Sequence, residues 1–204
     1  MIYRLSWIKT TPSNRKAGLN HLQSLAKIIK QDDELDSSVF ISDTVGPFYL
    51  IGLVIAYKSI AALYEDHEVL NQIEDEHNPL FSSTNLFDSS SPQWTTLREL
   101  KAGATEFPNF LNIVSIQIRP GQIEEGREQM IQLATQYESN YGRPMGVMSN
   151  ETGEYHQHHW TIAYDDLDQY EADFQKNATW GQLTQSLDSL FDLATMKRNV
   201  GRFL

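Results

Sequence analysis

The stretch LVIAYKSIAALYEDHEVL (residues 53–70) decides the fold, because much of it is written again in HHWTIAYDDLDQYEADFQKNATW (158–180). Each stretch runs from a strand ending in Ile-Ala-Tyr, apolar in the first and carrying histidines in the second, into a capped helix. The tripeptide at 55–57 recurs at 162–164, an offset of 107. The pair Tyr64-Glu65 recurs as Tyr170-Glu171 (offset 106), Leu-Phe-Asp at 86–88 recurs at 190–192 (104), and Leu25-Ala26 recurs as Leu133-Ala134 (108). Four matches in order at a nearly constant offset imply an internal duplication.

Outward from these stretches, both halves follow one plan. After Pro12, Leu19, Leu22, Leu25, Ala26 and Ile29 fall on one helical face, and the polar run at 31–38 is expected to end that helix. Two strands joined near Gly46-Pro47 follow. A helix capped by Ser59 carries Ile60, Leu63, Tyr64 and His67, and a polar loop leads to a last strand at 94–100. The second half opens with a strand at 112–121. A helix carrying Ile123, Met130, Leu133, Ala134, Tyr137 and Tyr141 ends at Gly142. Two strands flank the Asn150–Gly153 turn. Asp165 is placed as the cap of a helix bearing Leu167, Tyr170 and Phe174, and the chain closes with a strand at 194–204.

The predicted fold is therefore α+β: two tandem ferredoxin-like βαββαβ units, 1–101 and 109–204, with Ala102–Pro108 as the join. Helices cover one face of each sheet. The other faces are expected to be buried against each other as an intramolecular α+β barrel with a lumen between them.

Composition narrows the function. The formal net charge of −11 and a pI of about 4.9 make nucleic acid and anionic membranes poor partners. The absence of cysteine removes disulfides, thiolate nucleophiles and Fe–S ligation. The longest apolar run, Phe48–Tyr57, is half a membrane span, and the N-terminus lacks a signal-peptide core; a cytoplasmic protein is expected. No phosphate loop or nucleophile elbow occurs.

The segment 158–180 resembles the core of NIPSNAP-type domains, on its aromatic strand ending at Tyr164, Asp166-Leu167, a charged helix and closing Trp180. More broadly the chain is similar to the dimeric α+β barrel superfamily, which includes antibiotic-biosynthesis monooxygenases. The first half keeps the Tyr and the helix but has no Trp equivalent near His77-Asn78-Pro79. The resemblance implies the fold. Members range from cofactor-free oxygenases through haem-degrading enzymes to proteins of no known activity. Asn177 and Trp180 resemble the Asn and Trp of the haem-degrading members, but those roles are not carried over.

The stretch EYHQHHW (154–160) is the chemically richest in the chain. Strand alternation sets His156, His158, Trp160 and Tyr164 on one face, and Gln157, His159, Thr161 and Ala163 on the other. The first face is assigned to the lumen, because Thr161 and Ala163 leave room for the helices. A His-x-His pair begins many metal sites, but no third ligand stands at suitable spacing, so no metal and no cofactor are expected. The predicted function is binding of a small, largely apolar organic molecule in the lumen, with cofactor-free oxygenation as the enzymatic reading. His158 or His156 would be the base, and Trp160, Tyr164, His159 and Trp180 the ligand contacts. A non-catalytic interaction protein and a His-x-His metalloenzyme are the alternatives, and homodimerisation is left open.

Overall fold

The computed structural model describes residues 1–10, 12–42, 50–65, 67, 69–70, 93–104, 106–152, 156–176 and 187–204. The order is β1 (Ile2–Lys9), a 3-10 turn (Pro12–Asn14), α1 (Arg15–Ile29), β2 (Leu35–Ser42), β3 (Leu50–Tyr57), α2 (Ile60–Tyr64) and β4 (Gln93–Lys101). It continues with β5 (Phe110–Ile118), α3 (Ile123–Tyr141), β6 (Met145–Asn150), β7 (Gln157–Tyr164), α4 (Leu167–Lys176) and β8 (Phe191–Phe203). The protein is α+β. Its packing separates two compact units, Met1–Leu97 with Leu204, and Arg98–Phe203. The predicted Gly46-Pro47 turn, most of the loop before Gln93, and residues Asn177 and Trp180 lie outside the described residues.

In the first unit β3 pairs antiparallel with β1 on one side and β2 on the other. Alternation sends Ile51, Leu53, Ile55 and Tyr57 to one face, where Leu22, Leu25, Ala26 and Ile29 of α1 meet them in one buried cluster. Each fully buried Leu or Ile contributes about 1.5–3 kcal/mol relative to exposure. The polar run at 31–38 does not wholly serve as a helix stop, because β2 already begins at Leu35. Leu35 is buried, and Ser37 donates its hydroxyl to the Ala26 carbonyl at 2.7 Å, so a polar-looking segment folds as a strand by facing α1. Ser59 caps α2 as expected, accepting from the Ala62 amide at 3.1 Å. The face of α2 differs from the expected stripe: Ala62 is buried, whereas Ile60 and Tyr64 are exposed.

On the other face of this sheet two aromatics meet at Gly52. Trp7 and Phe40 flank Gly52 on the neighbouring strands and meet edge to face at 5.4 Å. A Cβ on Gly52 would lie 3.0 Å from the Trp7 ring, so glycine is required by the close approach of the indole.

In the second unit the strand order is β8-β5-β7-β6, all neighbours antiparallel. The helix α3 buries Met130, Leu133, Ala134 and Tyr137 and ends at Gly142, whose φ of 65° is the left-handed conformation that terminates helices. The chain turns into β6 with Glu138 accepting both the Met145 amide at 3.0 Å and the Lys101 ammonium at 2.6 Å. The cap of α4 is Asp166, one residue beyond the expected Asp165: Asp166 Oδ1 accepts from the Gln169 amide at 2.8 Å. Leu167, expected on the buried stripe, is half exposed. Below α4, Asp173 is buried and accepts from Tyr137 Oη at 3.1 Å and Arg143 Nε at 2.9 Å.

Candidate functional site

The two faces of β7 are settled by what each side chain touches. Trp160 is fully buried and its indole N–H donates to the Met130 carbonyl of α3 at 3.1 Å. Ile162 and Tyr164 join the same cluster as Met130, Leu133 and Tyr137, and Tyr164 meets Tyr170 of α4 edge to face at 5.5 Å. Arg127 of α3 donates through Nε to His158 Nε2 at 2.9 Å. The face carrying His158, Trp160 and Tyr164 is thus the helix face, and the assignment of these three residues to the face away from the helices is corrected. The reason is that the indole N–H needs a buried acceptor, which the carbonyl at Met130 supplies, and that α3 packs bulk on bulk.

On this helix face His158 has no exposure, and both its nitrogens are engaged. Nδ1–H donates to the His156 carbonyl at 3.0 Å, so Nε2 is the lone-pair nitrogen that takes the Arg127 bond. Burial, with the charges of Arg127 and His156, holds its pKa down at about 4. The imidazole is neutral, locked in one tautomer and leaves no free nitrogen for a metal. His156 is only partly buried. Among the described residues no group of three His, Cys, Asp or Glu side chains is placed to hold a metal ion.

His159 goes the other way. It pairs across β5 with Ser115 and across β6 with Met148, on the face away from the helices. It is 8% exposed, yet polar groups surround it. Its Nε2–H donates to Asn150 Oδ1 at 2.8 Å, and its Nδ1 accepts from Ser115 Oγ at 2.8 Å. Asn150 Nδ2 in turn donates to Gln157 Oε1 at 3.2 Å. A directed chain results, Ser115 to His159 to Asn150 to Gln157, in which each member donates to the next. Burial, and secondarily the nearby His158, hold the His159 pKa down at about 4, so the ring is a neutral acceptor for Ser115 across the physiological range.

Around this chain the same face is mostly apolar or small: Leu111, Ile113, Met148, Thr161 and Ala163. The chain passes close over it at Gly103. A Cβ on Gly146 would lie 2.5 Å from Thr161 Oγ1 and 3.2 Å from the Gly103 backbone, so the glycines let two backbones touch above β7.

Of the residues singled out in the sequence, the structure sets His159 in a polar network away from the helices and Trp160, Tyr164 and His158 in the helix–sheet core. The sequence reading missed Ser115, Asn150 and Gln157. A signal existed: at the offset of 107, His158 and Trp160 align with Ile51 and Leu53, while His159 aligns with Gly52. The bulky apolar positions of the first half mark the helix face, which leaves His159 on the other.

No protein-family model and no curated protein matches the chain. Solved structures do match in fold. A "putative monooxygenase" from Lactobacillus acidophilus superposes with a TM-score of 0.68 at 10% identity, over 100% of this chain and 92% of that one. An anthrone oxidase-like protein gives 0.63 at 10% identity, over 100% and 91%. A heme-binding protein from Thermus thermophilus gives 0.56 at 10% identity, over 99% and 91%. At such identities the likeness is one of fold: the chain has the α+β architecture of these proteins.

Proposed function

We propose that the protein binds a small, largely apolar organic molecule against the helix-free face of the second unit's sheet, and that oxygenation is the reaction to test. The observation that carries the reading is the buried Ser115–His159–Asn150 chain on a face that also carries Leu111, Ile113, Met148 and Ala163. A buried polar network costs stability unless every member is satisfied, and here it is satisfied inward, leaving the Ser115 oxygen to meet a ligand. The names of the fold's neighbours, a monooxygenase and an anthrone oxidase-like protein among them, point to the same ligand class. The finer architecture belongs to the same proposal: two copies of one βαββαβ unit in a single α+β barrel, in the cytoplasm.

His159, rather than His158 or His156, is the imidazole within reach of such a ligand, through Ser115. With a pKa of about 4 it is a weak base, so its first role is to orient the Ser115 hydroxyl. Proton transfer through Ser115 to Nδ1 requires an acidic substrate C–H or O–H. Titration of the protein with a dihydroxyanthrone, followed by fluorescence and by an oxygen electrode, tests both steps. Saturable binding that weakens in His159→Leu is expected. No saturable binding would remove the reading, and binding without oxygen uptake would restrict it to a carrier.

A second reading, a non-catalytic interaction protein of the same fold, draws support from the first unit. There Trp7 and Phe40 already occupy the face around Gly52.

A further inference from the structure

The direction of the hydrogen bonds says what kind of ligand group this face accepts. Asn150 Oδ1 is a carbonyl oxygen and only accepts, so His159 Nε2 carries the proton and Nδ1 is bare. Ser115 must then spend its one O–H on Nδ1. What Ser115 presents outward is lone pairs, and no described residue donates to them. A second bare acceptor stands nearby. Asn199 Oδ1 is buried and has no hydrogen-bond partner among the described residues. Asn199 lies across from Ile113 on β8, and Ser115 across from Lys197, so Ser115 and Asn199 are diagonal neighbours on one face. Diagonal cross-strand neighbours stand roughly 7–8 Å apart. A buried acceptor left unmatched is costly, so a group that donates to it is favoured over one that does not.

We propose that Ser115 and Asn199 form a donor-reading pair: the site takes an apolar molecule carrying two hydroxyl donors at opposite ends of a rigid frame, and discriminates against its ethers and against carboxylates. This rests on the binding reading above and goes further, naming the ligand's polar chemistry and two residues that select it. Neither Ser115 Oγ, whose proton is spent on His159, nor Asn199 Oδ1 has a proton to offer an anion. The cation on this face, Lys197, is exposed to solvent, where screening weakens its pull.

The test uses the full chain and four probes: 2,6-dihydroxynaphthalene, its dimethyl ether, 2-naphthol and 2-naphthoate, titrated by calorimetry at pH 7. The diol is expected to bind about tenfold or more tighter than the dimethyl ether, the equivalent of two neutral hydrogen bonds, with the mono-ol between them. Ser115→Ala should bring the diol toward the mono-ol and leave ether binding within about twofold, since the one Ser115 O–H is spent on His159, and Asn199→Leu should weaken the diol more than the ether. The series on the unaltered protein decides the question even where a variant fails to fold. Diol and ether binding equally would overturn the donor-reading pair and leave the binding proposal standing. The carboxylate binding tightest would overturn it in the same way, in favour of Lys197. Failure of all four probes to bind would overturn the binding proposal itself.

Discussion

Two kinds of buried histidine occur among the described residues, and their hydrogen-bond partners tell them apart. His158 and His159 each have one acceptor and one donor around the ring, so both are neutral. His67, in the first unit, has two acceptors: Asp32 Oδ2 at 3.1 Å from Nδ1 and the Ala62 carbonyl at 2.7 Å from Nε2. Both nitrogens must carry protons, so the ring is cationic. Burial alone would depress its pKa, but the bonds to Ala62 and Asp32 and the charges of Asp32 and Glu65 outweigh it and raise the value above the ordinary one. Asp32 is held below the usual carboxylate range, first by the Glu34 amide, and so stays ionised as the pH falls to 5.5. A raised folded pKa means stability that is fully present below the unfolded value of about 6.5 and lost as pH rises through the folded value. Urea unfolding of the protein and of His67→Gln should therefore differ most at pH 5.5–6, by about 1–2 kcal/mol, and converge toward pH 9. A gap that widens with pH would mean that His67 is neutral in the fold.

At the scale of the element, alternation along β7 is legible in the sequence and its phase is not. A period of two separates His158 from His159 with certainty, but which set meets the helices depends on partners that arrive from α3. Small Thr161 and Ala163 suggested space for helices; the structure instead sets Trp160 against Met130 and lets Gly103 take the room above Thr161. The helix stripes read better. Leu22, Leu25, Ala26 and Ile29 in α1, and Met130, Leu133, Ala134 and Tyr137 in α3, are buried as their spacing requires. Short helices read worse, since α2 and α4 carry Ile60, Tyr64 and Leu167 on exposed positions. Helix α3 also holds a glycine that spacing alone would call a defect. At Gly126 a Cβ would lie 2.6 Å from Ile118 Cγ2, and Ile118 is fully buried on β5. Alanine there gains about 1 kcal/mol of helix propensity. Overpacking a close-fitted site costs about 1–3 kcal/mol. The collision should win, and Gly126→Ala is expected to lower Tm by about 2–4 °C for a net loss of ~1 kcal/mol. A rise in Tm by calorimetry would show that Ile118 turns aside freely.

At the scale of the molecule, the two units run the same order of strands and helices but differ at the centre of the face their helices leave uncovered. In the first, Gly52 is overlaid by Trp7 with Phe40 beside it, a face closed by its own aromatics. In the second, the position that matches Gly52 at the offset of 107 is His159, wired to Ser115 and Asn150. Element order was readable in the sequence because it is local. The difference in what each face does was not, because Ser115, Asn150 and His159 come from three separate strands that only pairing brings together. An indole over the centre of a face takes area that a ligand would need, whereas a face with satisfied polar groups and outward lone pairs keeps it. The proposed ligand should therefore bind once per chain. Native mass spectrometry with 2,6-dihydroxynaphthalene is expected to show a single adduct that is lost in Ser115→Ala and kept in Trp7→Phe, whose ring still covers Gly52. Two adducts per chain, or one that survives Ser115→Ala and disappears with a change at Trp7, would move the site to the first unit and reverse the division of labour between the units.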